Sequence, residues 1–143
     1  MSKKLFIPGP VHVREEILQA MATPMIGHRM PEYAELHKKV KEKLQKLLFT
    51  NRSVYLATSS AFGVMEGAIR NLVQKRCANF SNGAFSNKWH SVTKRCGKEA
   101  DSFSVDWSNP ITPEMVDDAL KTGAYDAMTI IHNETSTGVM SPL

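Results

Sequence analysis

The chain has 143 residues, a length that suits one domain with a real core. At 42% hydrophobic and 22% charged residues it reads as a globular protein, not a disordered or fibrous one. Lys and Arg outnumber Asp and Glu by 18 to 14, but much of this charge lies on one helix face without interleaved aromatics, which argues against a nucleic-acid groove. Cys77 and Cys96 form no C-x-x-C pair, so neither a disulfide framework nor a zinc site is expected, and no other metal site is read. Free thiols fit a reducing compartment. No apolar run approaches the roughly 20 residues that span a bilayer. The basic start has no apolar stretch behind it, so it is not read as a signal peptide. A cytoplasmic protein without membrane or nucleic-acid partners is expected.

Pro8-Gly9-Pro10 gives an extended or turned entry, because proline fixes its own φ and restricts its predecessor. A short helix is predicted from about Arg14 to Met21, ended by Pro24, and Gly27-His28-Arg29 is a loop. Pro31 opens a long helix with Tyr33, Leu36, Val40, Leu44, Leu47 and Leu48 on one face and lysines opposite. Ser53–Ala57 reads as a short strand of buried character. Thr58-Ser59-Ser60 leads into a helix from about Ala61 to Val73, and Cys77–Phe80 is a weak second strand. Asn82-Gly83 turns the chain into a helix over about Phe85–Cys96, which Gly97 caps. Ala100–Val105 is a strand of mixed polarity. Thr112-Pro113-Glu114 starts a further helix that Gly123 stops, and Ala127–Ile131 is the clearest strand. Strands alternating with helices predict an α/β fold with a mostly parallel sheet and flanking helices. The chain stops at Ser141-Pro142-Leu143 directly after an apolar segment and a turn, which suggests an incomplete domain.

In such sheets, ligands bind beyond the C-terminal strand ends. One such end is Ala57-Thr58-Ser59-Ser60-Ala61-Phe62-Gly63. Small and hydroxyl residues at a helix N-terminus leave backbone N–H groups for an anion such as a phosphate ester, although a plain serine cap has the same sequence. No G-x-x-x-x-G-K-[ST] signature is present, which disfavours a nucleoside triphosphatase. The other end, His132-Asn133-Glu134-Thr135-Ser136-Thr137-Gly138, is dense in hydrogen-bonding groups. It suits the polar groups of a ring cofactor, or a polar surface loop. His28 and Arg29 could grip a carboxylate or phosphate. Phe85 could stack on a ring or fill the core. Trp89 reads as core, and Glu66 as a paired or solvated helix residue.

The order of these motifs resembles class V pyridoxal-phosphate-dependent aminotransferases, best the serine–pyruvate and alanine–glyoxylate branch. The residues concerned are Pro8-Gly9-Pro10, Gly27-His28-Arg29 before Pro31-Glu32-Tyr33, Thr58–Phe62 with Glu66 behind, Asn82-Gly83-Ala84-Phe85, and an H-x-E-[ST]-S-T-G-V segment from His132 to Val139. The resemblance covers essentially the whole chain. It implies the first part of a fold-type-I large domain, with a strap and short helix over residues 1–30 and the truncated cofactor domain over residues 31–143. Pyridoxal 5'-phosphate is the implied cofactor. Ser60, Ala61 and Phe62 would hold its phosphate, Phe85 would stack on its ring, and Thr135 would bond near its phenolic oxygen. Gly9, Gly27 and His28 would lie on the substrate side. The family has glycine where Ala61 stands and a small or polar residue where Phe62 stands.

The resemblance implies transfer of an amino group between a small amino acid, such as serine or alanine, and a 2-oxo acid such as glyoxylate or pyruvate, by a homodimer. The family's Schiff-base lysine, its ring-nitrogen aspartate and its substrate arginine all follow the H-x-E segment, so no catalytic residue is assigned within these 143. The alternative is a non-catalytic fragment that binds a phosphate-bearing ligand or a partner chain. The 143-residue chain alone is therefore expected to give no borohydride-reducible adduct at one specific lysine. Peptide mapping after reduction checks this, and a single modified lysine would overturn it.

Overall fold

The computed structural model describes residues 3–142. The chain divides into two compact units, Met1–Ala57 and Thr58–Leu143.

The first unit carries α1 (Glu15–Met21) and α2 (Pro31–Leu47). Pro31 opens α2, where its missing N–H costs nothing. An exposed Glu35–Lys39 pair at 2.7 Å braces the polar side. No residue of α2 is buried, and Tyr33, Leu36 and Leu47 of its apolar face are all exposed. The strand expected over Ser53–Ala57 does not form. The segment is irregular, with Tyr55 and Leu56 at 88% and 66% exposure. A strand is stabilised by a neighbour that takes its N–H and C=O groups. None pairs with this segment among the described residues. Its bend is held instead by the Gln45 side-chain amide, which donates to the Arg52 carbonyl at 2.8 Å.

The second unit is an α/β layer. Its elements are α3 (Ala61–Leu72), β1 (Arg76–Ser81), α4 (Ala84–Arg95), β2 (Glu99–Ser104), α5 (Pro113–Leu120), β3 (Ala127–Thr129), β4 (Asn133–Glu134) and β5 (Val139–Met140). β1 lies at the centre of a parallel three-stranded sheet in the order β2-β1-β3. β4 and β5 form a separate antiparallel hairpin.

The pleat of β1 sends alternate side chains to opposite layers. Ala78 and Phe80 face a cluster with Ile111 and Ala119, backed by Phe103, Met115 and Leu120. Phe80 stacks on Phe103 with centroids 5.2 Å apart. Cys77 faces the other way, with Ile69, Val73 and Trp89. Asn79 shares that second face. Its amide donates to Thr129 Oγ1 at 2.7 Å and reaches Thr93 Oγ1 on α4. The weakest strand in sequence terms is thus the most buried, because both its layers are covered. The clearest one, 127–131, pairs over only three residues at the sheet edge.

Helix ends follow the sequence signals. Gly97 and Gly123 take φ of 73° and 68°, the left-handed region that glycine enters without a Cβ penalty. Thr112 Oγ1 accepts from the Met115 N–H at the start of α5. At the N-terminal edge of the sheet, the Asp126 carboxylate accepts the backbone N–H groups of Gln74, Lys75 and Arg76. These bonds, that from Lys75 first, hold its pKa below the usual carboxylate range. No helix among the described residues is long and apolar enough to cross a membrane. Phe80→Ala should lower the unfolding free energy by about 3–5 kcal/mol. A urea titration measures this, and a loss under about 1 kcal/mol would mean that the Phe80–Phe103 stack is not the centre of the core.

Candidate functional site

Three segments of the second unit converge on one cavity of about 370 Å³. Its wall is made by Ser60, Ala61 and Phe62 from the start of α3, Phe85 from the start of α4, and Asn133 and Thr135 from the hairpin. Met65 and Ile131 add apolar surface. The volume falls in the range of small-molecule sites, roughly 300–1,000 Å³. All five residues singled out for the cofactor line this one cavity. Gly9, Gly27 and His28 belong to the first unit, where each is exposed. A larger hollow of about 460 Å³ lies between α5 and β3. Its Thr112 hydroxyl is already used as a helix cap and its remaining wall is mostly apolar, so it lacks free anion donors.

The three helices of this unit start differently. α5 is capped by Thr112. α4 has no side-chain cap from Gly83, yet its first amides are satisfied by the hairpin. Ser136 Oγ accepts from the Ala84 N–H at 2.9 Å, and Glu134 Oε2 accepts from the Ser86 N–H at 2.9 Å. α3 has neither device. The Ser60 hydroxyl makes no capping bond. The Gly63 N–H turns back to the Ser60 carbonyl at 2.9 Å, which leaves the Ala61 and Phe62 amides at the N-terminus without a helical partner. These free donors and the positive end of the α3 dipole meet at the cavity wall.

Glu134 is the residue that sequence reasoning passed over, although it stands inside the H-x-E segment. It is fully buried. Oε2 accepts from both the amide and the hydroxyl of Ser86 at 2.9 Å. Oε1 accepts from the Ser136 hydroxyl at 2.7 Å and the Ser136 amide at 3.1 Å. Burial pushes its pKa upward, but the Ser136 and Ser86 donors outweigh that and hold it below the usual value. The carboxylate therefore stays ionised at the N-terminus of α4 and clamps the residues beside Phe85 and Thr135. Its fit explains Gly83: a Cβ there would lie 2.4 Å from Glu134 Cγ and 2.6 Å from Ser136 Oγ. The sequence signal was the glycine in Asn82-Gly83, which reads as a turn residue but is required here by close approach, since its φ of 175° is ordinary extended backbone.

Other candidates take structural places. His132 Nδ1 lies 2.7 Å from the Ser141 carbonyl and braces the hairpin. Glu66 pairs with Arg70 on the surface of α3 at 2.8 Å. Trp89 packs into the cluster under β1. Burial pushes the Cys77 thiol up to about 11, so it is not a nucleophile at neutral pH.

The groups present fit a phosphorylated ring compound. Free amides and a hydroxyl can take the phosphate, Phe85 can cover a ring face, and the Thr135 hydroxyl can bond a ring substituent. No protein-family model matches the chain. Over its whole length it is 37% identical to an uncharacterised aminotransferase of Methanocaldococcus jannaschii, covering 38% of that protein. It is 30% identical to the serine–glyoxylate aminotransferase of Methylorubrum extorquens, across 96% of this chain and 36% of that one. Among solved structures, the alanine–glyoxylate aminotransferase of Nostoc sp. superposes with a TM-score of 0.89 at 26% identity, over 96% of this chain and 37% of the other. The chain thus spans somewhat over a third of the length of the relatives it matches.

Replacing Glu134 by Gln removes a charged acceptor and turns an amide NH2 toward Ser donors. The variant should lose about 2–3 kcal/mol of stability at neutral pH. The native folded pKa is depressed, so the Glu134 contribution is present above the unfolded value of about 4.3 and fades as pH falls through the folded one. The gap between Glu134→Gln and the native chain should therefore close in acid. Urea midpoints across pH read this out, and a gap independent of pH would contradict it.

Proposed function

From the premise that this chain is a relative, in sequence and in fold, of class V aminotransferases of the serine–glyoxylate and alanine–glyoxylate type, we propose that the protein is a pyridoxal-phosphate-dependent transaminase of which these 143 residues supply the phosphate and ring-stacking wall. It moves an amino group between a small amino acid and a 2-oxo acid such as glyoxylate or pyruvate. The observation that carries the reading is the convergence of Ser60, Ala61, Phe62, Phe85 and Thr135 on one cavity at an uncapped helix start.

In this reading the Ala61 and Phe62 amides and the Ser60 hydroxyl donate to the phosphate oxygens, where the α3 dipole adds to the attraction. Phe85 would cover one face of the ring and exclude water from it. Thr135 would offer its hydroxyl as a hydrogen-bond donor near the phenolic oxygen. When bound, the cofactor supplies the carbonyl that takes up the amino group and the ring that stores the resulting electron pair. The lysine that binds it, the aspartate at its ring nitrogen and the substrate arginine are assigned to sequence outside these 143 residues. Gly9, Gly27 and His28 are assigned to the substrate side, on a strap of residues 1–30 before a large domain that begins at 31. A cytoplasmic homodimer completes the proposal.

Ser60→Ala and Thr135→Ala, made in the protein as its complete gene encodes it, should each weaken cofactor binding by roughly 1–3 kcal/mol, since each removes a hydrogen bond to a polar or charged acceptor. Equilibrium titration with pyridoxal phosphate measures the loss. Unchanged affinity in both variants would remove this cavity from the cofactor site and leave a role in binding another ligand or a partner chain.

A further inference from the structure

The cavity wall contains no ionisable side chain. A phosphate ester there would meet a hydroxyl, two amides and a helix dipole, but no full positive charge. Lys88 stands close by. It follows Phe85 by three residues on α4, so the two lie on one helix face. Its Nζ lies 4.0 Å from the centroid of the Phe62 ring, the contact of an ammonium with an aromatic face. Phe62 is the second residue of α3 and part of the cavity wall. Lys88 forms no ion pair among the described residues, whereas Lys39, Arg70, Arg76 and Lys121 each hold a carboxylate. Its charge is therefore not neutralised by a neighbour.

We propose that Lys88 is the cation of the anion site: parked on the Phe62 ring, it supplies the positive charge that selects a phosphorylated ligand over the unphosphorylated one. This rests on the reading of the cavity as a cofactor site and deepens it. It also gives a role to Phe62, a large ring in the cavity wall. A large ring at this position adds no donor for the phosphate, but it offers a face on which an ammonium can rest at the rim. The lysine stem is long enough to move its head group from the ring to an incoming oxygen while its methylenes stay on apolar surface.

The test titrates three ligands, pyridoxal 5'-phosphate, pyridoxal and inorganic phosphate, into the protein encoded by the complete gene. Native, Lys88→Met and Lys88→Arg forms are compared. Lys88→Met should weaken pyridoxal phosphate by about ten-fold or more and leave pyridoxal within about two-fold, while Lys88→Arg keeps most of the affinity, because the effect is one of charge. The salt dependence of pyridoxal phosphate binding should flatten in Lys88→Met only. Equal losses for the phosphorylated and unphosphorylated aldehydes would make Lys88 a packing residue and overturn the proposal, as would no loss at all. If the native protein binds phosphate through Lys88 but not pyridoxal phosphate, the cofactor reading falls and the Lys88 site stands. If it binds neither, both fall.

Discussion

The geometry of the candidate site depends on one buried carboxylate. Glu134 takes four hydrogen bonds from two serines that lie far apart in sequence, Ser86 and Ser136. Each serine is a neighbour of a cavity residue, Phe85 on one side and Thr135 on the other. A carboxylate with so many donors is held in one rotamer, and it fixes the start of α4 against the hairpin. Leaving such a group unpaired in the interior would be costly, which makes the arrangement all-or-none. Gly83 is the steric counterpart, because the Glu134 side chain occupies the space where a Cβ would be.

The same carboxylate decides which helix start is open to a ligand. α4 and α3 both begin beside the cavity, with Phe85 of one and Ala61 and Phe62 of the other in its wall. Glu134 and Ser136 occupy the N-terminus of α4 from within the fold. That leaves α3, with an uncapped Ser60, as the end that can receive an external anion. An internal carboxylate satisfies the start of one helix, while the other keeps its first amides unbonded within the fold. Lys88, borne by the helix whose dipole is already satisfied, reaches toward the one that is not.

Much of this was legible in the sequence. Proline and glycine marked the helix starts and stops, as at Pro31, Pro113, Gly97 and Gly123. The serine-rich turn and the polar segment after the last strand pointed to the residues that now share a cavity. The Ser53–Ala57 strand was misread because its apolar residues satisfy a local pattern, while a strand needs a neighbour to pair with, which local pattern does not reveal. The importance of β1 was understated because Asn79 and Ser81 look polar, yet α4 supplies their partners in Thr93, Ser86 and Asn87. Glu134 and Lys88 escaped notice for a related reason. Their roles are set by contacts across 48 and 26 residues of chain, which spacing along the sequence does not encode.

At the centre of the proposed function is a phosphate at the start of α3 with Phe85 over the attached ring. A crystal structure of the protein soaked in pyridoxal phosphate tests it most directly. The expected result is phosphate density within hydrogen-bond distance of the Ala61 and Phe62 amides and the Ser60 hydroxyl, with the ring parallel to Phe85 and its phenolic oxygen toward Thr135. A phosphate bound elsewhere, or a ring that does not touch Phe85, would contradict it.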